Sequence, residues 1–266
     1  MALTVADFAK MKAEHEKYTM ITTYDATFAH LVEAAGVEMI LIGDSLGNVM
    51  QGRGTTIGVS LDDVIYHSRC VMRGCTRPFV VCDMPFGSYQ VNDDEGMRSA
   101  VRIMSEGGVH AVKLEGGARC VPLVRRLVAA GIPVVGHIGL TPQSVNTLSG
   151  YKVQGKGDAQ AEELYNDALA LEDAGAFAIV LECVPRGLAK RVTKSLTKAS
   201  TIGIGAGPDT DAQVLVLQDA LSMTSGKKAK FVRSFANVGE IVTNALSDYV
   251  AQVKGGTYPS DEESYH

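Results

Sequence analysis

A single (β/α)8 (TIM) barrel is the fold predicted for this 266-residue chain, on three observations. Eight short runs rich in Val, Ile and Leu recur along it, stretches of helical spacing separate most of them, and no Pro/Ser-rich linker divides it. A doubly wound open sheet is the rival, but such sheets usually carry about five to seven strands.

The elements follow in order. Thr4 to about Glu14 reads as a helix opened by a Thr4/Asp7 capping pair, placed to plug the barrel floor ahead of strand one. The strand runs are 18–24, 38–44, 78–84, 110–116, 132–138, 177–183, 200–206 and 213–219. Each is brief and apolar, as strands covered on both faces must be. Helical spacing fits 25–35, which ends at Gly36, and then 62–72, 92–104, 120–130, 158–173 and 185–196. The last two runs are separated by little more than PDTD, so a shortened seventh helix is expected there. Val232 to Val253 is amphipathic and reads as the eighth helix. The whole of 1–266 is expected to be one barrel domain, with 255–266 as a mobile or interfacial tail. Loops 45–60 and 139–157 are long, polar and glycine-rich, as lids over a site often are.

Composition excludes several classes. With 25 Lys+Arg against 30 Asp+Glu, the formal net charge is −5 and there is no basic footprint for nucleic acid. Five scattered cysteines form no CxxC pair and no zinc spacing, and read as reduced thiols of a cytoplasmic protein. The start resembles no signal or transit peptide, and no apolar stretch approaches the roughly 18 residues of a membrane span.

Chemistry in such a barrel sits at the C-terminal strand ends. Here those ends carry Asp44-Ser45, Asp83, Lys113 and Glu115, His137, and Glu182. The first polar residue on each lies two positions after Ile42, Val81, Ala111, Val135 or Val180, and side chains two apart share a face. Any one of them alone reads as a turn former or a satisfied core residue. Together, they place six ionisable groups around one small volume, where burial without a metal or substrate would be costly. Three carboxylates with one His and no Cys favour Mg2+ over Zn2+. Asp44, Asp83 and Glu115 are the expected ligands, with Glu115 binding through water. The ion would polarise a 2-oxo acid and stabilise its enolate. Glu182 is the expected base, Lys113 a source of positive charge, and His137 a neutral donor. The GxGxG of Gly203–Gly207 lacks dinucleotide spacing and reads first as a tight turn.

The segments MITTYDATFA, LIGDSLGNVMQG, VVCDMPFGSY, AVKLEGG, GHIGLTPQSVNTLSGYKVQGKG, IVLECVP and IGIGAG resemble ketopantoate hydroxymethyltransferases of the phosphoenolpyruvate/pyruvate barrel superfamily. The resemblance runs from about Thr4 to Tyr258. It implies Mg2+-dependent transfer of a one-carbon unit from 5,10-methylenetetrahydrofolate to 3-methyl-2-oxobutanoate, giving 2-dehydropantoate in pantothenate and coenzyme A synthesis. It implies metal ligands at Asp44, Asp83 and Glu115, a catalytic base at Glu182, and substrate contacts at Asp44, Ser45, Asp83, Lys113 and His137. It also implies a homodecamer of two pentameric rings. Two departures stand out: Asp211-Ala212-Gln213 where the family usually has Asp-Gly-Gln, and a tail without the usual His before Ser-Tyr. A carbon–carbon lyase acting on an isocitrate-like acid would share the enolate, but its KKCGH-type loop is missing. A non-catalytic binding barrel is the remaining alternative, and the intact charged cluster argues against it.

Overall fold

The structure, a computed structural model, describes residues 2–224, 226 and 229–266. Contacts divide the chain into two compact units, Met1–Val216 and Leu217–His266.

The first unit is a closed barrel of eight parallel strands in sequential order. These are β1 (Tyr18–Thr22), β2 (Met39–Ile42), β3 (Phe79–Asp83), β4 (Ala111–Glu115), β5 (Val134–Gly139), β6 (Ala178–Glu182), β7 (Ser200–Ile204) and β8 (Ala212–Leu215). All eight predicted runs overlap a strand, although β5 extends one residue past its run and the eighth run, 213–219, shares only 213–215 with β8 and passes into a helical turn. The accompanying helices are α1 (Val5–Ala13), α2 (Ala26–Ala34), the single turn α3 (Leu46–Val49), α4 (Leu61–Gly74), α5 (Asp93–Gly107), α6 (Val121–Ala129), α7 (Asp158–Asp173) and α8 (Arg186–Ser195). Their starts follow side-chain chemistry. Asp25, Ser60 and Asn92 each accept a backbone N–H of the first turn, which satisfies donors a helix start leaves open.

Helix α1 opens with the Thr4/Asp7 capping box and delivers Phe8 beneath the barrel. The Phe8 ring lies 4.9 Å from Tyr18 and 5.4 Å from Phe79, at the beginnings of β1 and β3. It joins the inward layer of Met20, Met39, Leu41, Val81, Ala111, Val135, Val180, Ile202 and Val214. The floor is therefore sealed by an aromatic cluster, which leaves the opposite end as the open one.

The seventh helix is a correction. Among the described residues no helix lies between β7 and β8; residues 205–211 form turns, with Gly205 and Gly207 at φ +63° and +82°. A side-chain carbon at Gly203 would meet Thr210 Oγ1 at 2.6 Å, so these glycines serve a tight return. Asp211 closes it: its carboxylate accepts the Thr201 amide and pairs with Lys12 of α1 at 2.9 Å. The neighbouring Ala212 is buried among the inward residues.

The second unit holds α9 (Leu217–Ala220) and α10 (Val238–Gly255), the latter starting six residues later than the sequence pattern suggested. No residue of α10 is buried, and Val242, Leu246, Tyr249, Val250 and Val253 form an exposed stripe at helical spacing. Thr257 N–H returns to Gln252 O, and the Tyr258 ring lies 5.6 Å from Tyr249. Among the described residues, no helix is long and apolar enough to cross a membrane.

Candidate active site

Alternation along the strands carries side chains to the barrel mouth, with one exception. Val81, Ala111, Val135 and Val180 all face inward, so Asp83, Lys113, His137 and Glu182, two positions on, face the mouth. In β2 it is Leu41 that faces inward, and not Ile42. Asp44 reaches the mouth because the chain leaves the strand after Ile42 and turns at Gly43 into α3. A side chain at Gly43 would meet Ser45 Oγ at 2.8 Å and approach Asp83.

The predicted residues are brought together. Asp44, Ser45, Asp83, Lys113, Glu115, His137 and Glu182 all line one cavity of about 110 Å3, with Leu41, Val180, Ile204, Val214 and Leu215 as an apolar wall. A single water needs roughly 10–15 Å3 on this measure, so the space is large enough for a small ligand. Five of the groups are buried to 4% exposure or less, while the Glu182 side chain retains 15%.

Contacts run from strand to strand. Asp44 N–H donates to Asp83 Oδ2 at 2.9 Å, and Lys113 Nζ lies 2.8 Å from Asp83 Oδ1. Lys113 Nζ is 3.1 Å from His137 Nδ1, and His137 Nε2 is 3.2 Å from Glu182 Oε2. Ser45 Oγ shares a 2.7 Å hydrogen bond with the buried Tyr24 hydroxyl.

The electrostatics are unbalanced. Burial, then the Asp83 and Glu115 charges, push the Asp44 carboxyl well above its usual range. Burial also raises Asp83, against the pull of Lys113. Glu115 is lowered despite its burial, chiefly through His137 and Lys113. Burial disfavours the Lys113 charge, but the surrounding carboxylates outweigh it and keep the ammonium protonated. At His137 charge and contact disagree. Burial and Lys113 oppose protonation, while Glu115 and Glu182 push the ring's pKa up to about 9. An ammonium 3.1 Å from Nδ1 nevertheless requires a lone pair there, so we assign the neutral ring with its proton on Nε2; the support for an ionised Glu115 then comes from Lys113 and the Gln143 N–H.

The donor set fits a hard cation. Asp83 Oδ1 has the Lys113 ammonium as its one close partner, Glu115 Oε1 has nothing nearer than His137 Nδ1 at 3.5 Å, and that single ammonium faces an excess of carboxylates among the described residues. Among the described residues, no group of three or more His, Cys, Asp or Glu side chains is placed to hold a metal ion by itself. A cation such as Mg2+ needs none, because it binds through one or two carboxylates and keeps waters.

The structure adds residues that the sequence left unremarked. Gln143, in the 139–157 loop, contacts Asp44 and Glu115, and Tyr89 contacts Gln143 and Glu115. Neither has a composition signal; both lie within the segments that carry the family resemblance. Gly139, which ends β5 at φ +93°, matters for a different reason. A side-chain carbon there would meet Glu182 O at 2.3 Å. Gly139→Ala is expected to cost about 1–3 kcal/mol in urea denaturation. Gly131→Ala, also at positive φ but with open space around it, should cost less.

The sequence profile of the ketopantoate hydroxymethyltransferase family matches residues 2–261. The chain belongs to that family. Proteins named 3-methyl-2-oxobutanoate hydroxymethyltransferase are similar throughout. That of Aromatoleum aromaticum is 51% identical over 99% of this chain and 97% of its own length. Those of Dechloromonas aromatica and Bacteroides fragilis are 52% and 49% identical, each over 99% of this chain and 96% of their own. As a member of the hydroxymethyltransferase family, the chain is a transferase. Its fold is shared more widely. A phosphonopyruvate hydrolase crystallised with oxalate and Mg++ superposes with TM-score 0.62 at 13% identity, over 98% of this chain and 93% of that one. A 2,3-dimethylmalate lyase of the PEP mutase/isocitrate lyase superfamily gives 0.60 at 17%, over 100% and 92%.

Proposed function

We propose that the chain transfers a hydroxymethyl group from 5,10-methylenetetrahydrofolate to 3-methyl-2-oxobutanoate, giving 2-dehydropantoate. The observation that carries this reading is a partly exposed carboxylate, Glu182, sharing a cavity with buried carboxylates, a lysine and an apolar wall. The polar side suits an oxo acid's oxygens, and Leu41, Val180, Ile204 and Val214 suit its branched end.

Asp44 and Asp83 would hold Mg2+ directly and Glu115 through water. Bound there, the ion supplies positive charge that draws electron density from the oxo group. Glu182 takes the proton from C3, and the C–H electron pair passes into the enolate. Lys113 offsets the developing negative charge, His137 Nε2–H donates towards the mouth, and Ser45 contacts the substrate. C3 then bonds to the one-carbon unit; water supplies the hydroxyl oxygen and tetrahydrofolate departs.

The test is turnover with both substrates, with and without metal. Chelation by EDTA should abolish product formation, and added Mg2+ should restore it. Turnover that survives chelation would overturn the metal assignment. The resemblance further supports a homo-oligomer, in which the apolar stripe of α10 would be covered; sedimentation of the intact protein measures this.

A further inference from the structure

We infer that Gln143 is a positioning residue that orients the two outer carboxylates, Asp44 and Glu115, for a divalent cation. The inference rests on the reading of those carboxylates as ligands.

Gln143 is 5% exposed and uses both ends of its side-chain amide and its main-chain N–H. Its Nε2 donates to Asp44 Oδ2 at 2.9 Å and to Met84 O at 3.0 Å. Its backbone N–H donates to Glu115 Oε2 at 3.0 Å. One residue therefore holds a carboxylate on β2 by its side chain and another on β4 by its main chain. In each case, it takes one oxygen.

The direction of the amide is fixed from outside. Met84 O is a backbone carbonyl and can only accept. On the other side, Oε1 faces the Tyr89 hydroxyl at 2.8 Å and Gln90 Nε2 at 3.0 Å. Gln90 is itself oriented, because its Oε1 accepts Gly87 N–H at 2.7 Å. A flipped Gln143 amide would set donor against donor and acceptor against acceptor. The NH2 group is thus held towards Asp44. The Tyr89 oxygen also accepts Glu115 N–H at 3.0 Å, which ties the β4 end into the same network. Partners one step removed from a metal commonly govern its affinity in this way.

The test is Mn2+ binding followed by electron paramagnetic resonance, on intact protein without substrate. Gln143→Met keeps the bulk and removes the amide. It is expected to raise the Mn2+ dissociation constant roughly 10- to 100-fold. The Mn2+ needed for half-maximal C3 proton exchange should rise by the same factor, with the rate recovering in excess metal. A loss of packing alone would not move metal demand and maximal rate apart in this manner. Unchanged affinity in folded Gln143→Met overturns the inference and leaves the proposed function standing. Failure of the unsubstituted protein to bind Mn2+ overturns both. Should Gln143→Met not fold, Gln143→Asn keeps the amide chemistry but draws it back from Asp44 and must shift affinity in the same direction; no shift there overturns the inference.

Discussion

Glu182→Gln is expected to slow exchange of the C3 proton of 3-methyl-2-oxobutanoate into D2O by about 10²–10⁴-fold, the usual contribution of a positioned base. Glutamine keeps the volume and the approach to His137 Nε2, which lies 3.2 Å from Glu182 Oε2, but cannot hold the proton. Glu182 stands on β6, two strands from Glu115 on β4, so Mn2+ affinity should change little. That contrast separates a lost base from a damaged site. Undiminished exchange would move the proton-abstracting role to another group.

Lys113→Met is expected to give the largest loss of stability, about 3–5 kcal/mol in urea denaturation of the metal-free protein. The ammonium is 4% exposed, meets Asp83 at 2.8 Å and, among the described residues, is the one side-chain ammonium lining the cavity with Asp44, Asp83 and Glu115. Removing it leaves buried negative charge uncompensated. Adding Asp83→Asn should recover much of the loss, since the carboxylate left alone is then neutral. A single-variant loss below about 1 kcal/mol would mean that protonation of neighbouring carboxyls already offsets the charge.

Much of this was legible in the residues, for identifiable reasons. Buried parallel strands must be apolar on both faces, so YTMITTY or PFVVCDM could be read without knowing their partners. Polar groups one alternation beyond that layer had to meet at the mouth. The same rule gave the right residue for the wrong reason in β2, where Leu41 and not Ile42 faces inward and Asp44 lies beyond the strand. A strand that ends early resets the alternation, and no residue type announces it. The return between β7 and β8 was similar: a shortened helix was expected there, and residues 205–211 form turns instead. Gln143 and Tyr89 were passed over because their significance comes from hydrogen bonds spanning 99 and 26 positions in the chain, to Asp44 and Glu115.

The 15% exposure of the Glu182 side chain has an isotopic consequence. A carboxylate sealed as tightly as Glu115, at 1%, would return the proton it removed to the same carbon. Label would then never enter the substrate, however often the C–H bond broke. With its edge open to water, Glu182 can trade that proton for a deuteron between removal and return. Wash-in of solvent label thus reports bond breaking even when no folate is present to trap the carbanion.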